Sequence, residues 1–523
     1  MTCNHFDGIV YVVKIAFFRL YLLFSSLILW KERFAYFSAN REFNLDKYTT
    51  PKLCQLPSVT ELRAALLASE GSEVKQQIAS LFDEDTFVEL SAYTKRGYSQ
   101  FLNTEKTNEF EGVICGYGAI DGKLVFAFAE DAERMGGAID DRHAKKICDL
   151  YKLATENGAP VIGIFNSNGI DVFEGTAGLA AYGRIMTAVT KASGVIPQIA
   201  FISGKCIGTC AAIASLFDIV VKDKNATFYV SSPVLTNIEG AQDDVIALND
   251  NFDDCIRYIK SLISFLPCNS SIGIQAADVC TDNLNRKLGD TDFGGQAADV
   301  ISAIADNGVY YELSAGFAKV ATTAFTTIGG VRCGVVATSF AIDEGRITSD
   351  AAKKIAKFVN FCDSFSIPVV TLVDSLGLAI DAENEHCFAP EIGRLIFSYA
   401  SSAVPKVTVI LNHAIGASFV LLGSKSLGAD IVYTLDNAEI GALNANSGVA
   451  FAWDQYITEK KTRESLIEDW KMSVSSPVHA AESGEIDDII SVNELRARIC
   501  SALLMLSYKG AHCSVARRKV LPL

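Results

Sequence analysis

Apolar residues recur at Ile147, Leu150, Tyr151 and Ala154, the i, i+3, i+4, i+7 spacing of one helix face. The same stripe returns at Ile355, Phe358, Val359 and Cys362. After each stripe a proline opens a short apolar run, Val161–Phe165 and Val369–Val373, and each run reads as a buried parallel strand. A second strand follows a second proline, Ile199–Ile202 and Val407–Ile410. Both then enter a glycine-containing turn and a small-residue helix, Cys210–Leu216 and Ser418–Gly423. Strands and helices alternating at this spacing predict a layered α/β fold.

The pattern repeats because the chain is duplicated. Ala144-Lys145-Lys146-Ile147 returns as Ala352-Lys353-Lys354-Ile355, and 352 − 144 = 208. The same offset carries Pro160 onto Pro368, Ser167 onto Ser375, Gly169 onto Gly377, Pro197 onto Pro405 and Gly208 onto Gly416. Upstream, Ile78–Leu90 resembles Ile301–Leu313 at a different spacing. Chance repeats one tetrapeptide; it does not hold one offset through so many turn residues.

Composition narrows the class. Half of the 523 residues are apolar and 20% are charged, which excludes a disordered chain. The charge balance of 46 − 61 = −15 opposes a general nucleic-acid binder, which needs excess cations for phosphates. The 14 cysteines form no CxxC pair and read as reduced, buried thiols, with a cytoplasmic location expected. Residues 1–44 form an atypical apolar N-terminal extension. Within it Ile9–Trp30 is nearly all apolar but broken by Lys14 and Arg19, so a spanning helix would carry two mid-segment cations. A loosely packed extension, an interfacial helix giving weak membrane association and a true anchor all remain open for it.

A strand turning sharply through glycine into a helix leaves backbone N–H groups unpaired at the helix start, where they favour negative charge. Two such turns stand at one offset, Gly204–Cys210 and Asn412–Ser418. They make candidate oxyanion sites at Gly208, Thr209, Gly416, Ala417 and Ser418. The alternative is that small residues there only permit close helix–strand packing.

Further motifs add specificity: Leu81-Phe82-Asp83 with Thr86–Glu89, Gly112-Val113 through Gly116-Tyr117-Gly118, and Gly136-Gly137 with His143 and Lys146-Ile147. Ser193-Gly194-Val195-Ile196-Pro197-Gln198-Ile199, Phe361-Cys362-Asp363, Val404-Pro405-Lys406-Val407, Ala438-Glu439-Ile440 and the ending Val520–Leu523 complete the set. From Val74 to Leu523 the chain resembles the carboxyltransferase subunits of biotin-dependent acyl-CoA carboxylases, such as propionyl-CoA carboxylase beta chains. The resemblance implies two tandem crotonase-like domains, each a ββα superhelix, here 45–290 and 291–523, assembled as a homohexamer or other homo-oligomer. It implies active sites where the first domain of one subunit faces the second domain of its neighbour. It also implies carboxybiotin on a separate carrier, an acyl-CoA substrate, no metal, and freed biotin removing the acyl alpha proton to give an enolate. One oxyanion hole would serve the thioester and the other the biotin ureido oxygen. Carried over by position, they are the Gly208–Thr209 backbone and Gly416–Ala417–Ser418.

Departures from the family are specific. Thr209 stands where the family has a second glycine, and β-branching fits positive φ badly. The family's Asp-Ser-x-Gly-Ala-Arg turn is Asn166-Ser167-Asn168-Gly169-Ile170-Asp171 here, a charge reversal at its end. Val420 replaces an aspartate of propionyl-CoA-type relatives. His413, just before the second turn, has a stronger claim on function than His143, which is read as structural. Cys206 and Cys210 are read as packing, and Lys145–Lys146 as either a solvated face or a phosphate-binding edge. The chain holds neither a P-loop nor an Ala-Met-Lys-Met-like biotinylation site, so the biotin carboxylase and the biotin carboxyl carrier are expected on other chains. A subunit of a sodium-pumping acyl-CoA decarboxylase, partnered by a membrane decarboxylase subunit, is the first alternative. A non-catalytic structural paralogue is the second.

Overall fold

The computed structural model describes residues 58–68, 72–96, 110–236, 246–275, 278–289, 295–458 and 461–509. Residues 1–44, with the apolar Ile9–Trp30 stretch, lie outside them, as do the boundary near 290 and the Val520–Leu523 ending. The chain divides into two compact units, Met1–Ala65 and Leu66–Leu523. Of the first, only 58–65 are described, and from Val59 these are helical. The second unit holds both repeats.

The first repeat builds one eight-stranded sheet from β1 (Val88–Leu90), β2 (Val113–Ile120), β3 (Lys123–Glu130), β4 (Val161–Ser167), β5 (Gln198–Ile207), β6 (Ile219–Asp223), β7 (Thr227–Tyr229) and β8 (Leu248–Asp250). The order is β1-β2-β3-β4-β5-β6-β8, with β7 also on β5. The pairs β1–β2 and β2–β3 are antiparallel and the remainder parallel. Helices on it are α1 (Glu73–Leu81), α2 (Asp141–Asn157), α3 (Thr176–Ala192), α4 (Thr209–Ala214) and α5 (Phe252–Phe265).

The second repeat writes the same sheet again. Strands β9 (Tyr310–Leu313), β10 (Ala321–Ile328), β11 (Val331–Thr338), β12 (Val369–Ser375), β13 (Lys406–Ile415), β14 (Ile431–Leu435), β15 (Glu439–Gly441) and β16 (Asp488–Ile490) follow the order β9-β10-β11-β12-β13-β14-β16, with β15 on β13. Its helices include α6 (Ala297–Ile304), α7 (Ser349–Ser364), α8 (Phe388–Ser401) and α9 (Ala417–Leu421). Strand starts keep the sequence offset: 321 − 113, 369 − 161 and 406 − 198 are all 208. Even the irregularity repeats. The β4–β5 register shifts between Phe165 and Ser167, and the β12–β13 register between Val373 and Ser375.

The helical stripes are buried as their periodicity requires: Ile147, Leu150, Tyr151 and Ala154 on α2, and Ile355, Phe358, Val359 and Cys362 on α7. Each helix starts on a side-chain cap, Asp140 accepting from His143 N–H and Thr348 from Ala351 N–H. One apolar cluster runs through both repeats, and Phe265 of α5 meets Phe325 of β10 with ring centroids 5.3 Å apart. Polar groups reinforce that seam: Tyr258 donates to the Glu312 carbonyl, and Arg332 donates to the carbonyls of Ser264 and Phe265. The two sheets are two tandem α/β units of one topology, as the duplication predicts.

Candidate active site

Both central strands run further than their apolar cores suggest, β5 to Ile207 and β13 to Ile415, so each turn is compressed into one residue. Gly208 has φ 64°, ψ −132°, and Gly416 has φ 58°, ψ −130°. This region of backbone space is essentially closed to residues with a Cβ, so glycine is required at both. Their own N–H groups are consumed: Gly208 donates to the Tyr229 carbonyl at 2.9 Å and Gly416 to the Gly441 carbonyl at 2.8 Å. The glycines therefore shape the turns, and the donors come from the residues behind them. Among the described residues, the N–H groups of Thr209, Cys210, Ala417 and Ser418 have no acceptor. Thr209 and Ala417 are exposed, whereas Cys210 and Ser418 are buried. Thr209 avoids the left-handed region, because the positive φ falls on Gly208 alone.

Behind each turn a serine fixes the neighbouring loop. Ser167 Oγ accepts from Gly169 N–H at 3.0 Å, and Ser375 Oγ from Gly377 N–H at 3.2 Å. The buried Ser418 hydroxyl donates to the Ile415 carbonyl at 2.8 Å. In the first repeat the buried Cys206 and Cys210 sulfurs lie 3.7 Å apart.

The two lysine pairs split their roles. Lys145 is exposed and paired with Asp149, a solvated face. Lys146 is buried and donates to the Val113 carbonyl, and its repeat mate Lys354 donates to the carbonyls of Ser314 and Phe317. These second lysines tie helices to strand-end carbonyls, so they are no phosphate edge. Burial lowers the Lys354 pKa to about 8.

Chemistry diverges where geometry does not. At β4 and β5 the Asn166 side-chain oxygen accepts the Lys205 backbone N–H at 3.0 Å. The offset positions in the second repeat are Asp374 and His413, and there His413 Nδ1 lies 2.8 Å from Asp374 Oδ1. Asp374 Oδ2 accepts from Asn412 Nδ2 at 2.8 Å, and Phe340 stacks on the imidazole with centroids 4.5 Å apart. His413, Asn412, Asp436, Glu439, Lys471 and Ser475 are among the residues around a cavity of about 510 Å³.

His143 is buried in the first repeat, with Glu111 Oε1 3.8 Å from Nδ1 and Glu130 Oε1 3.8 Å from Nε2. Burial raises Glu111 to about 7, helped by Asp140, and Glu130 to about 8; it lowers His143 to about 3, with Lys146 and Arg96 adding to the shift. Sequence reasoning named His143 and His413 but missed their carboxylate partners. Glu111, Glu130 and Asp374 sit at strand edges that only the sheet brings to the rings. Among the described residues, no group of three or more His, Cys, Asp or Glu is placed to hold a metal ion, and no helix is long and apolar enough to cross a membrane.

Two duplicated α/β sheets, each with a glycine turn at the end of its central strand, frame the candidate site. The chain belongs to the carboxyl transferase domain family, which matches residues 69–249 and 236–521. It is 33% identical over 475 residues to the methylmalonyl-CoA decarboxylase subunit alpha of Veillonella parvula, covering 86% of this chain and 92% of the relative. It is also 33% identical over 461 residues to a putative propionyl-CoA carboxylase beta chain of Bacillus subtilis (strain 168), covering 83% and 90%. A solved transcarboxylase 12S structure, described as a hexamer with methylmalonyl-coenzyme A and methylmalonic acid bound, superposes with a TM-score of 0.79 at 28% identity, covering 90% of this chain and all of that one. The chain is thus a carboxyltransferase of the biotin-dependent acyl-CoA carboxylases and decarboxylases.

Proposed function

We propose that the chain transfers a carboxyl group between carboxybiotin, held on a separate carrier chain, and a short acyl-CoA, as the carboxyltransferase subunit of an acyl-CoA carboxylase. The observation carrying this reading is the pair of glycine turns in near-identical backbone geometry, each followed by N–H groups without an acceptor among the described residues. Donors of this kind suit the two oxygens that gain charge, a thioester oxygen and a ureido oxygen. Biotin, when bound, supplies the transferable carboxyl group. The chain's part is to hold the acyl-CoA carbonyl against one turn, favour its enolate, and exclude water from the transfer. The donors are Thr209 with Cys210 on one side and Ala417 with Ser418 on the other. Gly208 and Gly416 act by shaping the backbone.

The division near residue 290, a homo-oligomer in which one subunit's first repeat faces its neighbour's second, a biotin carboxylase partner and a cytoplasmic location belong to the same proposal. A second reading has direct support: the decarboxylase subunit of Veillonella parvula and the carboxylase chain of Bacillus subtilis are equally similar to this chain. The reverse reaction, with a membrane decarboxylase partner, uses the same turns. Calorimetry with acetyl-, propionyl-, methylmalonyl- and glutaconyl-CoA, followed by carboxyl exchange with a biotinylated carrier, tests the proposal. Absence of CoA-ester binding overturns it, and binding without exchange favours a non-catalytic subunit.

A further inference from the structure

Each glycine turn stands at the end of a short ledge of strand. Strand β5 pairs with β6 up to Ile202 and with β7 from Lys205 to Ile207. Strand β13 repeats the change, leaving β14 at Ile410 and joining β15 from His413 to Ile415. On the other edge Phe165 faces Ile202 but Ser167 faces Cys206, so β5 carries two more residues than β4 over that interval (206 − 202 against 167 − 165). Val373 facing Ile410 and Ser375 facing Ala414 give the same excess in β13. A bulge of this kind interrupts the ladder and re-aims the strand beyond it.

One side chain spans the interruption in each repeat. Asn166, the single β4 residue opposite the first bulge, accepts the Lys205 N–H on Oδ1 at 3.0 Å. Asp374, its mate by offset, spans the second bulge through Asn412 Nδ2 and His413 Nδ1, each at 2.8 Å. Both spanning residues are themselves fixed. Glu130 Oε2 accepts the Asn166 N–H at 3.0 Å, and Thr338 Oγ1 accepts the Asp374 N–H at 2.7 Å, with 338 − 130 again 208. Gly204 admits the first contact, because a Cβ there would lie 2.2 Å from Asn166 Oδ1. The span has survived duplication although its chemistry changed from a backbone bond to side-chain bonds.

The structure assigns Asn166 the role of a positioning residue for the first donor pair: it pins the β5 ledge that carries Gly208 and, behind it, the Thr209 and Cys210 N–H groups. The pinned amide, Lys205 N–H, stands three residues before Gly208. On the opposite edge β7 holds the ledge, and its Tyr229 carbonyl accepts the Gly208 N–H at 2.9 Å. Releasing the Asn166 edge lets ledge and turn shift together, and a misplacement of about 1 Å costs about 10²-fold in rate. The effect on rate rests on the proposed use of these N–H groups as oxyanion donors; the pin itself does not.

Full-length variants, each first checked for cooperative melting, are compared by carboxyl exchange and by peptide-level amide hydrogen exchange. Asn166→Ala removes the acceptor. Its kcat falls about 10²-fold with the acyl-CoA KM little changed, and amide exchange over residues 205–210 accelerates. Asn166→Asp keeps an oxygen in the same place, as Asp374 does in the second repeat, and restores both readings. Gly204→Ala leaves Asn166 present but pushes its side chain aside, so it lowers kcat in the same way and carries the test if Asn166→Ala does not fold. The double variant loses no more than Asn166→Ala alone, a coupling that general destabilisation would not produce. Wild-type amide exchange over 205–210 in both single alanine variants overturns the inference, as does a loss that Asn166→Asp fails to rescue. A wild type without carboxyl exchange is a separate result: it defeats the proposed function, while the amide-exchange comparison still decides whether Asn166 pins the ledge.

Discussion

The Arg96 guanidinium lies 3.0 Å from the Asp171 carboxylate, with both side chains only 3% exposed. Asp171 is the residue that reverses the family's arginine, and the structure shows an intact ion pair at that position. The other Asp171 oxygen caps a short helical turn by accepting from Phe173 N–H at 3.0 Å. Asp171→Asn leaves a buried guanidinium without its counter-ion, and breaking such a pair costs about 3–5 kcal/mol. Chemical denaturation should show that loss. An unchanged midpoint would mean the pair is solvated in solution.

The His143 cluster predicts how stability responds to pH. Glu111 and Glu130 have raised pKa values, so their contribution is full below 4.5 and is lost as pH climbs through about 7 and about 8. His143 has a lowered value, so its contribution is full above 6.5 and is lost as pH falls toward about 3. Within this cluster only the glutamates act above 6.5. The melting temperature should therefore decline between pH 6.5 and 8.5, each group adding at most about 1.4 kcal/mol per pH unit. Glu130→Gln, whose amide oxygen still accepts the Asn166 N–H, should flatten that decline. Identical profiles for variant and wild type would contradict the cluster.

Gly208→Ala isolates backbone geometry from packing. No atom lies within 4 Å of where its Cβ would sit, so steric crowding is absent and only φ 64° resists the change. The strain costs about 1–3 kcal/mol. Gly122, with φ 72° and equally open space in the β2–β3 hairpin, is a control for a positive-φ glycine away from the turns. Both variants should lose stability, but only Gly208→Ala should reduce carboxyl exchange, by about 10²–10³-fold if one oxyanion donor is misdirected. Equal activities would sever the turn from the chemistry.

How much was legible in the chain depended on range. The 208-residue offset located both sheets and both turns, because strand cores and turn glycines are encoded by local pattern. Pairings across the sheet were not legible. Asp374 meets His413 from 39 residues away and Arg96 meets Asp171 from 75, and no periodicity links them. Lys146 shows the same limit. Beside Lys145 in sequence it reads as part of a solvated face, yet it stands one helical turn before the buried Leu150 and donates to the Val113 carbonyl. The doubt over Thr209 came from assigning the positive φ to the wrong residue of the turn.

That reassignment gives Thr209→Gly a definite outcome. Thr209 opens α4 in helical backbone, where a β-branched residue meets no left-handed strain. Its N–H lacks an acceptor among the described residues with threonine in place, so glycine adds no donor. Its side chain is exposed, so glycine removes little packing. The expected effects are a loss of about 0.5–1 kcal/mol from added chain entropy and a carboxyl-exchange rate close to wild type. Side-by-side exchange assays decide the matter. A large gain would mean the threonine had been holding the N–H away from the substrate. A folded variant with lost activity would mean the hydroxyl or methyl itself contacts the reactants, and the turn would then act through a side chain rather than through its backbone.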